Sequence, residues 1–253
     1  MLKVSIVTIS FNAESTIEST LKSVASQLYD NIEHIIVDGG SEDSTLEICN
    51  SFSHISKLIS EPDKGVYDAF NKGLKLATGD VVGFLNADDV FYNENSVQEI
   101  VEAFLSNKTD IVYGNLDYIN ELGTVIRNWI SMPYKPGLAK KAFMPAHPTF
   151  YCRKEIYERL GGYDNSFKIA GDFELCLRFL EKNKVPSFYI NKKLVKMLVG
   201  GISNSGLKSK LIIHNEQLRA YKANKIKVNQ ILFFFHKLKK FSQYFNIFLN
   251  IVI

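Results

Sequence analysis

Cysteine is scarce in this sequence, and the pairs that bind a structural zinc ion are missing. Cys49, Cys152 and Cys176 lie far apart in the 253-residue chain, and no C-x-x-C pair occurs. An odd number of widely spaced cysteines argues against a disulfide framework, and the missing pairs argue against a zinc knuckle. This cysteine usage best fits a protein of a reducing cytosol.

Long hydrophobic runs are also missing. The N-terminal segment 1–12 has one lysine and a short apolar stretch, without the apolar core and cleavage site of a signal peptide. We therefore interpret it as a buried first strand. No stretch approaches the roughly 18 uninterrupted apolar residues of a transmembrane helix.

Two glycine-rich phosphate-binding motifs are absent as well. The sequence contains neither G-x-G-x-x-G nor G-x-x-x-x-G-K-[ST]. A dinucleotide-dependent enzyme and a P-loop ATPase are therefore not expected. The composition itself, 46% hydrophobic and 23% charged, is ordinary for a globular protein.

Apolar runs alternate with helical patterns over the first hundred residues. Strands are predicted at 3–10, 32–38, 57–60 and 80–86. Helices are predicted after Ser15 and over 43–52, 66–77 and 96–106. Because the connecting loops are short, we expect right-handed crossovers and an α/β fold whose mostly parallel, Rossmann-like central sheet is flanked by helices.

The first of these helices carries a start signal. Ser15 and Glu18 fit the S-x-x-E capping box. An apolar stripe at helical spacing follows, formed by Ile17, Leu21, Val24 and Leu28. The pattern predicts a capped helix that buries these four side chains.

Polar residues follow three of the predicted strands. Ser10–Asn12, Asp38 and Asp88–Asp89 all fall at carboxyl ends of strands. Ligands of parallel sheets bind at this edge, so these residues are expected to line one crevice.

The pattern loosens after about residue 110. A hairpin is predicted around 121–123, followed by a proline-containing loop over 131–148 and a helix that ends at Gly161–Gly162. Another helix is predicted over 171–183, with one apolar side formed by Phe173, Leu177 and Leu180.

The C-terminal segment differs in charge from the rest of the chain. Residues 207–253 carry nine Lys or Arg and one Glu, whereas the whole chain has a net charge of +3. Apolar residues recur there at three- and four-residue steps, at Ile231, Phe234, Phe235, Leu238, Phe241, Phe245, Phe248 and Val252. This basic amphipathic helical tail is typical of a segment in the membrane interface. The alternative is a terminal helix packed on the protein's own core.

The adjacent acids Asp88 and Asp89 have two interpretations. A turn with a helix cap explains most such pairs. At the end of a buried strand, however, carboxylates suit Mg²⁺ or Mn²⁺, which bind through one or two carboxylates plus substrate phosphates. A metal-bridged nucleotide is therefore the working hypothesis, and a nucleotidyltransferase with paired acids remains an alternative.

Four segments, in this order, resemble the family 2 glycosyltransferases, inverting enzymes of the GT-A fold, over roughly residues 3–185. They are VSIVTISFNAESTIESTLKSVASQ, IIVDGGSEDST, SEPDKGVYDAFNKGLKLATGDVVGFLNADD and GGYDNSFKIAGDFELCLR. Within the family, the third segment is most like bacterial enzymes that build O-antigen or other surface polysaccharides. The resemblance implies a nucleotide-sugar-binding half over 1–110 and an acceptor-binding half over 111–206, followed by the tail over 207–253.

The resemblance also implies a site for a UDP-sugar donor and a divalent cation, Mn²⁺ or Mg²⁺. The implied donor-binding residues are Thr8, Ser10, Asn12, Asp38, Asp63, Lys64, Asn71, Lys72, Asn86, Ala87 and Asp88. Asp88 would be the metal ligand of the D-x-D motif, with Asp89 and His147 as further candidates. In this chain the motif begins with Asn86, so an amide replaces the first acid.

The catalytic base of the family corresponds to Asp172. The glutamate that usually precedes the base is Gly171 here, so its supporting role is absent or passes to Glu174. Without the resemblance, Asp172 would be interpreted as an acid favoured at a helix N-terminus. Similarly, His147 could be an ordinary loop histidine.

Trp129 and Tyr134 are candidates for an acceptor platform, although core packing is the more common role of such residues.

Together these observations predict an inverting transferase that moves a hexose, glucose or galactose first, from a UDP-sugar to a polyprenyl-diphosphate-linked saccharide. An acceptor such as GlcNAc-diphospho-undecaprenol would place the protein peripherally at the cytoplasmic face of a bacterial inner membrane. No nucleic-acid partner is expected. A non-catalytic GT-A-like nucleotide-binding scaffold is the alternative from another class.

Overall fold

Nine strands form one sheet in this protein, a computed structural model that describes residues 1–200 and 206–237. The strands are β1 (Val4–Ser10), β2 (Ile32–Asp38), β3 (Ile55–Ser60), β4 (Val81–Phe84), β5 (Asp89–Phe91), β6 (Ile111–Ile119), β7 (Val125–Trp129), β8 (Tyr151–Arg153) and β9 (Ser187–Leu198). The helices are α1 (Ile17–Ala25), α2 (Thr45–Asn50), α3 (Val66–Leu76), α4 (Ser96–Ser106), α5 (Lys154–Leu160), α6 (Gly171–Cys176) and α7 (Gly206–Ala223). A π-helical stretch, Leu177–Lys182, continues α6.

The sheet has a parallel half and a mixed half. Its order is β3-β2-β1-β4-β8-β6-β9-β5, with β7 paired to β6 outside this path. β3, β2, β1 and β4 run parallel, as the strand–helix alternation predicted, whereas β8 is antiparallel to β4 and to β6. Residues beyond 110 therefore continue the same sheet as residues 1–110.

Apolar cores lie on both faces of the sheet. Successive residues of β1 alternate between them, because side chains of a strand point to opposite faces. Val7 packs in a cluster with residues of α3 and α6, and Ile6 packs in another cluster with residues of α4. The uninterrupted apolar run of β1 follows from this burial on both sides.

Two details of the first helix differ from the prediction. α1 begins at Ile17 with Thr16 at its N-cap, and within the described residues it has no side-chain cap hydrogen bond, so the Ser15–Glu18 capping box is not formed. The helix ends at Ala25, and Leu28 beyond it is exposed. Short-range spacing placed Leu28 on the apolar stripe, but the chain has already left the helix there.

Three strands were not predicted: β5 in the first half of the chain, and β8 and β9 in the second. β5 and β8 have only three residues each, too short for a periodic signal, and β9 contains adjacent lysines, Lys192 and Lys193. The hairpin around 121–123, the helix that ends before Gly161 and the buried side of the 171–183 helix are confirmed.

Part of the C-terminal segment packs against the rest of the protein. Tyr221 of α7 and Phe233 of the helical stretch 230–237 are buried with Phe173 of α6. Residues 238–253, which carry most of the predicted membrane stripe, lie outside the described residues. Within 1–200 and 206–237, no helix combines the length and apolarity needed to cross a bilayer.

Candidate active site

The parallel strands bring Ser10 and Asp38 together at one edge of the sheet, which we call the crevice: the carboxyl ends of β1, β2 and β4. The two residues are register partners, and Ser10 Oγ donates to Asp38 Oδ1 at 3.0 Å. Asp38 also accepts from Ser60 Oγ at 2.7 Å, from the Ser41 hydroxyl and from the Gly40 and Ser41 amides. Burial alone would raise the pKa of Asp38, but these hydrogen bonds outweigh it and lower the pKa. Asp38 is therefore a fixed carboxylate.

Asp63 lies beside the loop that follows Asp38. A Cβ on Gly39 would lie 2.9 Å from Asp63 Oδ2 and 3.4 Å from the ring of Phe11. Lys72 Nζ holds Asp63 Oδ1 at 2.7 Å and also pairs with Glu61 at 3.0 Å. Asp63 and Lys72 thus reach the same end of the crevice.

The remaining predicted donor contacts are spread around this end. Asn12 has a left-handed backbone conformation. Its side-chain oxygen accepts from the Glu42 backbone amide, and its backbone amide donates to the Ser41 hydroxyl. Thr8 is fully buried below Ser10, with its hydroxyl 3.0 Å from His34 Nε2. The side chain of Lys64 is exposed at the start of α3.

Asn71 has a scaffolding position. Its side chain donates to the Tyr163 carbonyl and to Asn165, and it accepts from the Tyr163 amide at 2.9 Å. These bonds join α3 to the loop before α6.

Asp88 and Asp89, which follow β4, differ in how deeply they are buried. Asn86 and Asp88 are partly exposed, Ala87 is buried, and Asp89 is fully buried as the first residue of β5. Burial raises the pKa of Asp88, and burial together with the charge of Asp88 raises the pKa of Asp89 well above its usual range. Asp89 Oδ1 has no hydrogen-bond partner within the described residues. Because burial disfavours the charged forms of both carboxyl groups, a nearby positive charge would stabilise them.

His147 is next to Asp172 and in the neighbourhood of Asp88. Its Nδ1 is 3.3 Å from Asp172 Oδ2, and its ring is close enough to Asp88 to oppose the rise in that residue's pKa. The fold therefore brings Asp88, His147 and Asp172 together from three distant parts of the chain.

Tyr67 of α3 fixes the backbone that carries Asp172. Its hydroxyl donates to the Ile169 carbonyl at 2.6 Å and accepts from the Gly171 amide at 2.7 Å. A Cβ on Gly171 would lie 2.7 Å from the Tyr67 ring. The ring therefore occupies the space that a side chain before Asp172 would need, which explains the glycine there.

Two further buried acids, Glu216 and Glu174, form hydrogen bonds in the region around Asp172. Glu216 of α7 accepts from the amides of Lys168, Ile169 and Ala170 at 2.8–2.9 Å. Glu174 pairs with Arg178 at 2.9 Å and accepts from Asn224 at 3.0 Å. Glu174 is thus engaged in structure, so the support of Asp172 comes from Tyr67 and Glu216.

Comparison with known proteins identifies the chain. The model of glycosyl transferase family 2 matches residues 5–168, more than half of the sequence. The chain belongs to this family. An uncharacterized glycosyltransferase of Mycobacterium tuberculosis is 38% identical over 180 residues, 69% of this chain and 68% of its own length.

Two further relatives have more specific names. A PGL/p-HBAD biosynthesis glycosyltransferase of Mycobacterium tuberculosis is 29% identical over 208 residues, 79% of each chain. The UDP-Glc:alpha-D-GlcNAc-diphosphoundecaprenol beta-1,3-glucosyltransferase WfgD of Escherichia coli is 38% identical over 121 residues, 46% of this chain and 47% of its own.

Solved structures confirm the GT-A fold of this family 2 glycosyltransferase. S. aureus TarS 1–349 in complex with UDP-GlcNAc has a TM-score of 0.71 at 18% identity, covering 91% of this chain and 69% of TarS 1–349. The mannosyltransferase PcManGT from Pyrobaculum calidifontis, in complex with GDP-Man and Mn²⁺, has a TM-score of 0.66 at 17% identity, covering 92% and 67%.

The residues around Asp88 suit a divalent cation that is shared with a nucleotide. Among the described residues, no group of three or more His, Cys, Asp and Glu side chains is placed to hold a metal by itself. Mg²⁺ and Mn²⁺ in nucleotide sites need only one or two carboxylates, since phosphates and water complete the shell. The buried, partner-free oxygen of Asp89 beside Asp88 fits such a cation.

Sequence reasoning missed three residues of this region. Phe11 is 64% exposed at the end of β1, Tyr67 is buried under Asp172, and Glu216 reaches the loop before Asp172 from 44 residues further along the chain, in α7. An exposed aromatic next to Ser10 was a detectable signal. The other two act through contacts between elements distant in the chain, for which local patterns give no sign.

Proposed function

We propose that this glycosyltransferase inverts the anomeric centre as it moves a hexose from a UDP-sugar to a lipid-linked saccharide. The observation that carries the proposal is that His147 contacts Asp172 and is also near enough to influence Asp88, so the two acids share one region although they are distant in the chain. One acid faces the place of the leaving nucleotide and the other faces the acceptor half. Direct displacement needs this division of roles.

The proposed chemistry is a single in-line displacement. Asp172 accepts the proton of an acceptor hydroxyl while that oxygen forms its bond to C1 of the sugar. The bond from C1 to the diphosphate oxygen breaks, and UDP departs with the electron pair. A divalent cation, which Asp88 would hold with the help of Asp89 or His147, supplies charge neutralisation for the departing diphosphate. The His147 ring beside Oδ2 orients the Asp172 carboxylate.

The nucleoside end is assigned to Asp38 and its neighbours. The ionised Asp38 carboxylate holds the Ser10, Ser41 and Ser60 hydroxyls and the Gly40–Ser41 backbone in place, and these groups would line the nucleoside end. The exposed ring of Phe11 is available for stacking on the base. Asp63 and Lys72 line the same end.

The choice of glucose and of a GlcNAc-diphospho-lipid acceptor rests on the relative WfgD. As its name states, WfgD transfers glucose from UDP-glucose to such an acceptor, and the similarity extends over 121 residues. This partial match supports a role in O-antigen or surface polysaccharide synthesis.

We also propose that the C-terminal segment associates with the cytoplasmic face of the membrane. Ile231, Phe234 and Phe235 are exposed on the stretch 230–237 although Phe233 is buried. Exposed lysines precede them, at Lys222, Lys225 and Lys227. Apolar rings beside basic side chains favour an anionic lipid surface.

A donor screen tests the transferase proposal. The purified chain is incubated with UDP-glucose, UDP-galactose or UDP-GlcNAc and with N-acetylglucosaminyl diphosphate on a short alkyl chain, with and without chelator. Asp172→Asn and Asp88→Ala are both expected to lower kcat by at least about 100-fold, because each removes a group needed in the transition state.

Other outcomes would contradict it. A scaffold would bind UDP without turnover in the wild type. A nucleotidyltransferase would instead consume UTP and a sugar phosphate and release pyrophosphate. Exposed Arg159→Gln is the matched control, since it lies on α5 and is expected to leave turnover unchanged.

A further inference from the structure

Two aromatic rings and a guanidinium form a cluster on the β6–β7 hairpin. The rings of Tyr118 and Trp129 are nearly parallel, with 4° between their planes and 6.2 Å between their centroids. The guanidinium carbon of Arg127 lies 5.0 Å from the centre of the Tyr118 ring and 5.9 Å from that of Trp129. All three side chains are partly exposed, so the cluster presents a surface of its own.

This cluster begins near Asp172, the proposed general base. The Trp129 and His147 rings are 6.4 Å apart, edge to face, and His147 Nδ1 is 3.3 Å from Asp172 Oδ2. A sugar ring on Trp129 would therefore have its hydroxyls within reach of Asp172. Tyr134, the other aromatic candidate, is instead held by a hydrogen bond to Glu181 and packs on Phe143.

The hairpin presents a sequence of different surfaces as it leads away from Asp172. Arg127 lies two residues before Trp129 on β7, so the two side chains are on the same face and their Cα atoms are roughly 7 Å apart. Beyond Arg127, the end of the hairpin carries exposed apolar side chains: Leu122, Val125 and Ile126. The order is acid, aromatic ring, guanidinium and apolar end.

We propose that this hairpin binds the acceptor lengthwise, with Trp129 under its sugar ring and Arg127 on its diphosphate. An acceptor made of a pyranose, a diphosphate and an isoprenoid chain has its groups in the same order as these surfaces. The inference rests on the proposed function, because it assigns the place where that acceptor binds.

The chemistry of each contact suits its position. Aromatic faces bind the C–H side of sugar rings, and the indole adds a hydrogen-bond donor. The planar guanidinium makes paired hydrogen bonds to phosphate oxygens, and cation–π contacts with Tyr118 and Trp129 hold it in place beforehand. The apolar end of the hairpin would meet the first isoprenoid units.

The test uses Trp129, the one tryptophan in the sequence, as its probe. The wild-type protein is titrated with N-acetylglucosaminyl diphosphate on a short alkyl chain, or with the matching alkyl glycoside that lacks the diphosphate, and tryptophan fluorescence is followed. Because this measures binding without turnover, it does not depend on the identity of the donor. We expect saturable quenching by both ligands, with the diphosphate ligand bound more tightly.

Three variants separate the contacts. Arg127→Gln is expected to weaken binding of the diphosphate ligand by about 10- to 100-fold, the usual loss of hydrogen bonds to a charged group, and to leave the glycoside unchanged. Trp129→Ala, followed by calorimetry, is expected to weaken both ligands alike. Arg159→Gln is the control for loss of an exposed positive charge. UDP affinity and melting temperature are measured for each variant.

The outcomes distinguish this inference from the proposed function. Equal effects of Arg127→Gln on both ligands, a loss of UDP affinity instead, or no quenching by either ligand would overturn the inference. Turnover with an unresponsive Trp129 would keep the transferase and discard the hairpin site. Binding at Trp129 with no turnover of any UDP-sugar would keep the hairpin site and discard the transferase.

Discussion

At the scale of single residues, the two ends of the crevice use opposite electrostatics. Asp38 has five hydrogen-bond donors and a lowered pKa, so it is satisfied without a ligand. Asp88 and Asp89 have raised pKa values, chiefly because burial costs the charged form its hydration. Under the proposed function, Asp38 would organise the hydroxyl and amide groups around the nucleoside, whereas Asp88 with Asp89 would bind the cation.

A substitution at Tyr67 tests how Asp172, the proposed general base, is positioned. Tyr67→Phe removes the hydroxyl that bridges the Ile169 carbonyl and the Gly171 amide. We expect a loss of about 1–2 kcal/mol in the free energy of unfolding, because two buried backbone groups lose their partner. We expect kcat to fall by about tenfold with donor affinity unchanged.

Tyr151→Phe is the matched control for this prediction. Tyr151 is equally buried, and within the described residues its hydroxyl has no hydrogen-bond partner. Its removal should therefore change neither kcat nor donor affinity. Equal kinetic effects of the two substitutions would show that Tyr67 has no special role in placing Asp172.

At the scale of elements, a few buried acids join strands and helices that are distant in the chain. Glu216 ties α7 to the loop before α6, and Glu174 with Arg178 ties α6 to the end of α5 through the carbonyls of Leu160 and Gly161. Glu33 of β2 has the same role at the opposite edge of the sheet. It accepts from Ser5 Oγ at 2.6 Å and from the Thr78 amide at 2.8 Å.

Glu33 predicts a specific dependence of stability on pH. Burial alone would raise its pKa, but the hydrogen bonds from Ser5 and Thr78 and the pairing with Lys57 lower it to about 2. A lowered pKa in the folded state stabilises the protein above the unfolded pKa, near 4.5. This stabilisation, about 2–3 kcal/mol, should be lost as the pH falls from about 4.5 to about 2.

Urea unfolding at several pH values measures this effect. In Glu33→Gln, the free energy of unfolding is expected to be lower at neutral pH and to change less between pH 4.5 and pH 2 than in the wild type. Exposed Glu42→Gln serves as the control and should retain the wild-type slope. A wild-type slope in Glu33→Gln would refute this assignment.

At the scale of the whole molecule, the candidate site depends on residues from both ends of the sheet and from the C-terminal segment. One continuous sheet carries Asp38 and Asp88 in its parallel half, and it supports the β6–β7 hairpin in its mixed half. Glu216 attaches α7 to the loop before Asp172, and Phe233 attaches the stretch 230–237 to the hydrophobic core. Part of the basic segment up to Lys237 therefore packs on the core, and residues 238–253 lie outside the described residues.

Two truncations test this division. A chain of residues 1–237 keeps Phe233 and Glu216, and we expect it to retain its melting temperature and donor binding but to bind anionic vesicles much more weakly. A chain of residues 1–205 loses both, which should expose Phe173 and release the loop before Asp172, so we expect it to unfold or lose activity. Vesicle sedimentation and thermal melts provide the two readouts.

Unchanged vesicle binding by residues 1–237 would place the membrane contact elsewhere. Conversely, a large drop in melting temperature for this chain would show that residues beyond Lys237 belong to the core.

The sequence by itself determined the parallel half, most helix positions and the crevice. Strand–helix alternation and the positions of Ser10, Asp38 and Asp88 at or after strand ends are local patterns. Parallel pairing places Ser10 beside Asp38 and places the end of β4, which Asp88 follows, next to β1. Only the tertiary structure decided that Asp172 meets His147, that Tyr67 replaces a side chain at position 171, and that part of the basic tail is core. These contacts join residues up to about a hundred positions apart, and local propensity carries no information about such pairs.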